Sequence, residues 1–391
     1  MNTSTQKVRV KDSELKKGKI EEIKKEGEKF YPLLEEIAKK LYQLREVSLK
    51  EKHSSRYLME ILEKHGFRVH IPPVKGLSTH FVAEKVLSDD GPAIAFIAEY
   101  DALPEIGHGC GHNLIAAASV TAGIILSHTG YRGKVMVIGT PAEETGRGKI
   151  SMIEAGIFND LDYALMFHPG NRTRMRPELV ALSEVNVRYT GKEAHASSYP
   201  DRGINALHAL INLFNLINSH RQNLSNDFRI NGIITRGGVA PNIIPAEAEA
   251  TFHLRAKDSM LLQELKKRFK KMAKAAAEGS FTKVKISFSP FELKEMKHYP
   301  FLEDLFRENL LKLSPDIDLD ETPRGRWASS DIGNLSHIIP TLQATIRITE
   351  KPTPIHTKEF AEATLKEFAL RRTLIAAETL ALTGVSLQEK G

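Results

Sequence analysis

The sequence predicts an α/β protein whose mostly parallel central sheet, flanked by helices, is interrupted by an inserted α+β domain. Strand-like and helix-like segments alternate over residues 68–167 and resume over 301–382, which is typical of a parallel sheet covered by helices. Between them, residues 181–288 run strand, helix, strand, strand, helix, strand. That order predicts a compact ferredoxin-like domain of about a hundred residues.

The first part of the chain opens with helices. Apolar residues recur at helical spacing over residues 13–45, with an interruption expected near Gly27, and a second helix over 53–65 should end at Gly66. The run AIAFIAEYD, residues 93–101, is nearly continuous in apolar residues, as in a strand covered on both faces. The other elements expected here are strands at 68–71, 79–85, 134–140 and 163–167 and helices at 114–126 and 149–155.

The pattern changes near residue 180. The segment ALSEVNVRYTG alternates as a strand does, and two helices, over residues 203–220 and 259–278, each carry an apolar stripe. After residue 292 the α/β pattern returns with a helix, a strand and a terminal helix. The sequence therefore predicts a main domain formed by residues 1–182 and 293–391, with an insertion over residues 183–292.

Composition limits the function classes. The chain has 391 residues, 41% hydrophobic and 27% charged, as in ordinary globular proteins. Its single cysteine excludes an internal disulfide, so we expect a reducing, cytoplasmic setting. No apolar run is long enough for a membrane span, and the amino terminus does not resemble a secretory signal. The net charge is only +6, with the amino-terminal lysines interleaved with glutamates, so we expect no binding to nucleic acid.

The single cysteine lies in the glycine-rich loop GHGCGHN, residues 107–113, two residues before His112. A thiolate and an imidazole offered from one turn are good ligands for a first-row metal ion. Alone, the cysteine is more typical of a small buried apolar residue, and a nucleophile is the other alternative. Four more candidates follow strands or lie in loops, where sites of α/β proteins are built: Glu143, Glu144, His168 and His356.

The combination favours metal-assisted hydrolysis over a cysteine nucleophile. Two divalent ions would bring four positive charges against the two negative charges of Cys110 and Glu144. The remaining positive charge would lower the pKa of a water from about 15.7 to roughly 7. Since adjacent residues of an extended chain point to opposite sides, Glu144 could bind metal while Glu143 takes up the proton.

Four longer motifs carry a resemblance to a known family: AEYDALPEIGHGCGHN, GTPAEETGRGKISMIEAGIF, GKEAHASSYPDRGINAL and SSDIGNLSH. Their order and spacing resemble the co-catalytic metallopeptidases that include aminoacylase, carboxypeptidase G and carnosinase, over about residues 30–382. Within that family the chain looks like the amidohydrolase branch of auxin-conjugate, hippurate and aminobenzoyl-glutamate hydrolases. In that branch it is similar to dipeptidase-like members that act on dipeptides of the β-alanyl-lysine type.

The resemblance implies a role for each candidate residue. Glu143 would be the general acid/base, and Asp101 would orient a ligand. His195 would reach the partner subunit's site and stabilise the oxyanion, while Asn242 and Arg255 would hold the substrate. The positions of metal ligands are occupied by Cys110, His112, Glu144, His168 and His356.

The resemblance also implies a cofactor, an assembly and a reaction. The cofactor would be two divalent metal ions, zinc or manganese, with cobalt or nickel as alternatives. The insertion would be a lid and dimerisation domain that makes a homodimer, with a higher oligomer as an alternative. The reaction would be hydrolysis of the amide bond in small N-acyl- or aminoacyl-amino acids. The alternatives are an N-acyl-amino-acid deacylase or aminobenzoyl-glutamate hydrolase and, more remotely, a non-catalytic binding protein on the same fold, which the complete ligand set disfavours.

Three residues keep two interpretations each. Asn113 stands where many members of the branch have aspartate, and it could instead cap the following helix. His108 could make a structural hydrogen bond in its loop or serve the site. Trp327 could line a substrate pocket or pack in the core.

Overall fold

The computed structural model describes residues 3–320, 322 and 327–389, and for residues 3–17 it describes the backbone alone. These residues form two compact units. The main unit is made of Met1–Pro177, Lys297–Arg324 and Asn334–Gly391, and the inserted unit of Glu178–Met296 and Gly325–Gly333. The sequence-based domain boundaries at residues 182 and 292 stay predictions beside this division, and the short return segment that joins the inserted unit was not anticipated.

The described part of the chain contains ten helices and ten strands. The helices are α1 Thr3–Leu44, α2 Lys52–Lys64, α3 His112–Ser127, α4 Gly148–Glu154, α5 Ala206–Arg221, α6 Ser259–Gly279, α7 Pro300–Leu313, α8 Ile332–Ser336, α9 Lys358–Ala363 and α10 Glu367–Gln388. The strands are β1 Arg68–His70, β2 Phe81–Val86, β3 Ala93–Ala98, β4 Lys134–Gly139, β5 Tyr163–Gly170, β6 Ala181–Thr190, β7 Phe228–Arg236, β8 Glu247–Ala256, β9 Lys283–Phe288 and β10 Thr341–Arg347. Two short 3-10 turns lie at Glu143–Thr145 and Pro200–Arg202.

The main unit is built on a six-stranded sheet in the order β1-β2-β4-β3-β5-β10. Strand β3 runs parallel to β4 and β5, and β5 runs parallel to β10. Among these strands only β2 opposes its neighbours, pairing antiparallel with both β1 and β4. The prediction of a mostly parallel central sheet is therefore confirmed, with an antiparallel edge added.

Helix α3 explains why the sequence that follows the cysteine loop is so apolar. Each residue from His112 to Leu126 is buried, because the helix packs against α1, α10 and strand β3 at once. Strand β3 is likewise buried from Ile94 to Ala98. A helix that is apolar on all sides is a core helix, and this one presents its first turn to the candidate site.

The inserted unit is an antiparallel sheet in the order β7-β8-β6-β9, with α5 and α6 packed against it. Its core includes Tyr189, Phe252 and Phe269. Buried residues alternate with partly exposed ones along β8, as expected for a sheet with one covered face. Numbered within the unit alone, the strands lie across the sheet in the order 2-3-1-4. This is the strand order of a ferredoxin-like domain, so that prediction is confirmed.

Helix α1 differs from the prediction, since it begins at Thr3 rather than near residue 13 and continues through Gly27. The glycine reflects a close contact between helices. A Cβ atom at Gly27 would lie 2.1 Å from Glu378 Oε1 on α10, so the absent side chain allows α10 to approach. The predicted terminal helix is also divided, into α9 and α10. Within the described residues, no helix combines the length and hydrophobicity that a membrane span requires.

Candidate metal centre

The candidate site residues follow strands that are neighbours in the sheet. Asp101 comes three residues after β3, Glu143 four residues after β4, and His168 lies in the last part of β5. His356 lies in the loop between β10 and α9. Because β3, β4, β5 and β10 all run in the same direction, their carboxyl ends share one edge of the sheet, where the loops meet.

Glycines shape the loop that carries the cysteine. Gly111 immediately precedes α3 with a φ of 82°, a left-handed conformation that other residues adopt only with strain. A Cβ atom at Gly109 would lie 2.6 Å from Ile106 Cγ2 and 3.3 Å from His356 Cα. The close approach lets the backbone N–H of His356 donate to Gly109 O at 2.8 Å. The two ligand loops are thus joined through backbone atoms.

The structure brings all five predicted ligands together. Two groups have ligand atoms that all lie within 4.8 Å of one another, and Cys110 belongs to both: Cys110, His112 and His168, and Cys110, Glu144 and His356. Cys110 Sγ lies 3.6 Å from His168 Nε2. Metal bonds of about 2.3 Å to sulfur and about 2.0 Å to nitrogen place two tetrahedral ligand atoms about 3.5 Å apart. The residues present therefore fit a divalent first-row ion.

The histidine rings are oriented by their other nitrogen atoms. His112 Nδ1 lies 2.9 Å from Asp101 O and 3.0 Å from Asp101 Oδ1, both of which accept a hydrogen bond. His168 Nδ1 likewise donates to Pro169 O at 2.7 Å. Both rings therefore turn Nε2 toward the centre, as metal-binding histidines do when a carboxylate or carbonyl holds the opposite nitrogen.

Asp101 links three parts of the site. Its buried carboxylate accepts hydrogen bonds from Ser48 Oγ at 2.7 Å, from the backbone N–H of Glu144 at 3.1 Å and from the ring of His112. Burial alone would raise the pKa of Asp101, but the hydrogen bond and charge of His112, with the hydrogen bonds from Ser48 and Glu144, lower the pKa to about 2. Asp101, which was predicted to orient a ligand, thus holds the ring of His112 and the backbone of Glu144 through its charged carboxylate.

Burial dominates the electrostatics of the ligands themselves. It raises the pKa of the Cys110 thiol to about 12 and lowers the pKa of His168 to about 4. It also raises the pKa of Glu144. Burial would lower the pKa of His112 as well, but the neighbouring Cys110 and Asp101 hold it well above its usual value. A divalent cation favours the thiolate, the carboxylate and the neutral imidazole. It would therefore reverse the preferences of Cys110, Glu144 and His112 and reinforce that of His168.

Several buried polar atoms at the site lack a hydrogen-bond partner among the described residues. They are Glu99 Oε2, His112 Nε2 and Glu144 Oε1. Buried polar atoms are normally paired, because leaving one unsatisfied costs about 1–3 kcal/mol. A divalent cation can bind atoms of this kind, so these unsatisfied atoms support a metal site formed by the candidate ligands.

The comparisons with known proteins point the same way. Residues 179–280 match the family model of a peptidase dimerisation domain of M20 type. The chain is 36% identical to the Xaa-Arg dipeptidase of Mus musculus over 81% of its own length and 76% of that protein. It is 33% identical to the Xaa-Arg dipeptidase of Homo sapiens over 90% of its length and 84% of that protein.

The chain belongs to the M20 family. It is also 27% identical to one of the subunits of the p-aminobenzoyl-glutamate hydrolase of Escherichia coli, over 90% of its own length and 88% of that protein. An M20 dinuclear metal-binding peptidase from Bacillus subtilis shares the fold, with a TM-score of 0.68 at 20% identity, covering 93% of this chain and 99% of that one. The chain is thus a metal-dependent hydrolase of the dipeptidase and amidohydrolase class, which confirms the predicted family and reaction class.

In this M20 chain, sequence reasoning missed a buried ion pair beside the ligands. Lys149 Nζ lies 2.6 Å from Glu99 Oε1, and both side chains are fully buried. Burial would raise the pKa of Glu99, but the charges of Lys149, His112 and His168, with the hydrogen bond from Lys149, together lower it. Glu99 did give a signal, as an acidic residue at the end of the apolar run AIAFIA, whereas nothing near Lys149 in the sequence points to a partner fifty residues away.

A second missed residue supports the turn that carries the two glutamates. Ala142 has a φ of 59°, in the left-handed region, immediately before Glu143. Its backbone N–H donates to Glu51 Oε1 at 2.9 Å, and Thr79 Oγ1 donates to Glu51 Oε2 at 2.9 Å. The buried Glu51 carboxylate therefore holds a strained residue in place, and only the folded chain brings it there.

The M20 dimerisation unit carries the other predicted site residues. His195 and Asn242 lie at the surface, and their loops are adjacent: the backbone N–H of Ala196 donates to Asn242 O at 2.9 Å. Arg255 is partly buried and donates to Trp327 O at 2.9 Å and to Ser329 Oγ at 2.7 Å. The structure thus places His195 and Asn242 together in one loop cluster, while the roles of all three residues stay predictions.

The residues with two interpretations are resolved by their contacts. Asn113 does not cap α3, because Gly111 occupies the cap position and the Asn113 amide donates instead to Ala38 O and Thr364 Oγ1. His108 Nε2 lies 2.9 Å from Leu41 O, which favours its structural role. Trp327 is only half-buried, which disfavours a packed core position.

Proposed function

We propose that the chain hydrolyses the amide bond of small dipeptides and related N-acyl-amino acids, with two divalent metal ions and Glu143 as general acid/base. The observation that carries this is the pair of ligand groups sharing Cys110, with a second glutamate beside them. Residues Cys110, His112, Glu144, His168 and His356 would hold the ions. When bound, the ions polarise the scissile carbonyl and activate a water molecule.

Glu143 is suited to proton transfer by its position. The turn at Glu143–Thr145 directs its Oε2 to within 3.7 Å of His112 Nε2. About a tenth of its side chain remains exposed, so a substrate can reach it while most of its surroundings exclude water. Glu143 would take a proton from the attacking water and deliver it to the leaving amine, as a general acid/base must.

The choice of metal follows from the donor set. The thiolate of Cys110 favours zinc, whereas the imidazole and carboxylate donors also suit manganese, with cobalt and nickel as alternatives. Asp101 would keep His112 in the tautomer that binds metal. We also propose a cytoplasmic location, because a reduced Cys110 is required as a ligand.

The inserted unit would supply dimerisation and substrate contacts. Strand β7 is an edge of its sheet, and its residues from Asn231 to Arg236 are exposed. Ile233 is 66% exposed and Ile234 is 47% exposed. An apolar edge strand with unpaired backbone groups pairs readily with another strand, so a second copy of the chain is the proposed occupant. His195 from one protomer would then stabilise the oxyanion in the other protomer's site, while Asn242 and Arg255 hold the substrate.

The relatives favour dipeptides with a basic carboxyl-terminal residue. The two Xaa-Arg dipeptidases are 36% and 33% identical to this chain, against 27% for the aminobenzoyl-glutamate hydrolase. The motifs around the cysteine and the two glutamates point in the same direction, toward dipeptides of the β-alanyl-lysine type. An N-acyl-amino-acid deacylase or an aminobenzoyl-glutamate hydrolase is the second candidate, which the shared amide chemistry supports.

The test is a comparison of hydrolysis rates for dipeptides ending in Arg or Lys, N-acetyl-amino acids and aminobenzoyl-glutamate. Each is measured with metal-free protein and with zinc, manganese, cobalt or nickel added. The Glu143→Gln variant is expected to keep normal metal content and to lose about 10²- to 10⁴-fold in kcat. Full activity of that variant, or activity that survives removal of all metal, would overturn the proposal.

A further inference from the structure

A charged pair lies against the candidate ligands without belonging to the predicted ligand set. Glu99 Oε1 accepts from Lys149 Nζ at 2.6 Å, and neither side chain is exposed. The second oxygen, Glu99 Oε2, lies 3.5 Å from His112 Nε2. Glu99, His112 and Glu143 form a third group whose ligand atoms all lie within 4.8 Å of one another. The ion pair therefore borders the metal position that His112 serves.

The second oxygen of Glu99 is placed as a ligand atom would be. Among the described residues, neither Glu99 Oε2 nor His112 Nε2 has a hydrogen-bond partner, and at 3.5 Å they are too far apart for a good hydrogen bond to each other. Two ligand atoms bound at about 2.0–2.2 Å to one ion lie about 3.4 Å apart at a tetrahedral angle. The separation thus matches two donors to one cation.

Lys149 explains how the carboxylate of Glu99 can lie beside those of Glu143 and Glu144 without weakening the activation of water. A buried carboxylate with no partner is strongly destabilising, and each added negative charge reduces the positive charge with which the ions activate water. Lys149 cancels the charge of Glu99 through Oε1 and leaves Oε2 directed at His112 Nε2. The pair can therefore offer an oxygen atom to a cation at nearly zero net charge.

We propose that Glu99 is an additional oxygen donor at the metal position served by His112, and that Lys149 tunes it by neutralising its charge. Lys149 is a positioning residue, because it acts through Glu99. The proposal rests on the metal-dependent function proposed above and adds a residue to its ligand set. A purely structural ion pair is the competing explanation.

The two explanations predict different metal affinities when each partner is removed separately. Glu99→Gln removes the anionic donor, so metal affinity should fall by about 10- to 100-fold, as for other residues that support a metal site. Lys149→Met leaves the full charge of Glu99 facing the cation, so metal should bind at least about tenfold more tightly. A structural ion pair predicts that both variants lose thermal stability and that neither changes metal affinity.

The experiment measures zinc and cobalt affinity by competition with a chromophoric chelator, using the full chain in the metal-free form. Melting temperatures with and without metal are recorded alongside. Glu303→Gln serves as a matched control, since Glu303 is a buried carboxylate of the main unit paired with Arg176 and His298. It should lower the melting temperature and leave metal affinity unchanged.

The double variant Glu99→Gln, Lys149→Met guards against misfolding of the single variants, because it removes both charges of the buried pair. We expect it to melt near the wild type and still to bind metal at least about tenfold more weakly. Wild-type affinity in a well-folded double variant, or weaker binding by Lys149→Met, would overturn the role of Glu99. If the wild-type chain bound no metal, the proposed function would fail as well, so the two failures are distinguishable.

Discussion

The buried carboxyl of Glu378 offers a quantitative test of the packing between α1 and α10. Its side chain is 5% exposed and faces Gly27, where no side chain separates the helices. Burial raises the pKa of Glu378 to about 8, and the negative charge of Glu28 adds to the effect, while Lys24 and Arg371 offset part of it. We predict that Glu378→Gln stabilises the protein at alkaline pH and has little effect at acid pH.

The sign and size follow from proton linkage. The folded state holds the Glu378 proton more tightly than the unfolded chain, whose glutamate titrates near 4.5. The free energy of unfolding therefore falls as pH rises from about 4.5 to about 8, and is constant above that range. A rise in pKa from 4.5 to about 8 corresponds to at most about 5 kcal/mol, at about 1.36 kcal/mol per pH unit. Local relaxation reduces this, so we expect about 2–5 kcal/mol at pH 9 and less than about 1 kcal/mol at pH 5.

The assay is urea unfolding of the wild type and of Glu378→Gln between pH 5 and pH 9, at constant metal concentration. Glu362→Gln is the control, since Glu362 is an exposed carboxylate on the neighbouring helix α9; its difference from wild type should stay within about 0.5 kcal/mol at every pH. If the difference between Glu378→Gln and wild type does not grow between pH 5 and pH 9, the carboxyl does not titrate as its burial requires.

Other consequences of the structure can be tested in the same way. Gly27→Ala should destabilise the protein by about 1–3 kcal/mol in urea unfolding, because its Cβ would lie 2.1 Å from Glu378 Oε1; unchanged stability would show that the helices separate freely. Ile233→Lys should shift the protein toward monomer in sedimentation, because it places a charge on the exposed edge strand β7. Met260→Lys, at a residue of α6 that is 77% exposed, is its control and should leave the assembly unchanged; an equal effect of both variants would argue against pairing through β7.

Much of the fold could be read from the sequence because its signals are local. The apolar runs at AIAFIA and along α3 predicted a covered sheet and a core helix, and both segments are buried. The strand and helix order of the insertion predicted its antiparallel sheet. The predicted interruption of α1 was wrong. A glycine within a helical pattern usually indicates an interruption, whereas Gly27 makes room for a contact with a residue more than three hundred positions away.

The candidate site was likewise predictable in part from local sequence signals. The types of the candidate ligands could be predicted from the sequence. The sequence contains a lone cysteine near a histidine in a glycine-rich turn and a pair of adjacent glutamates, and the metal-binding chemistry of these side chains does not depend on where their loops lie. Their meeting was predictable because parallel strands deliver their loops to one edge of a sheet. The role of Asp101 was implied, yet its three hydrogen bonds come from three separate segments.

The order of elements, the candidate ligands and the family could be predicted from the sequence alone, because each depends on residue types and their spacing. The pairing of buried charges was not: Glu99 lies against Lys149, Asp101 against His112, and Glu51 against the backbone of Ala142 only in the tertiary structure. Burial makes a charge costly in proportion to how poorly it is paired. Both the burial and the pairing depend on residues far apart in the chain, and no local pattern records them.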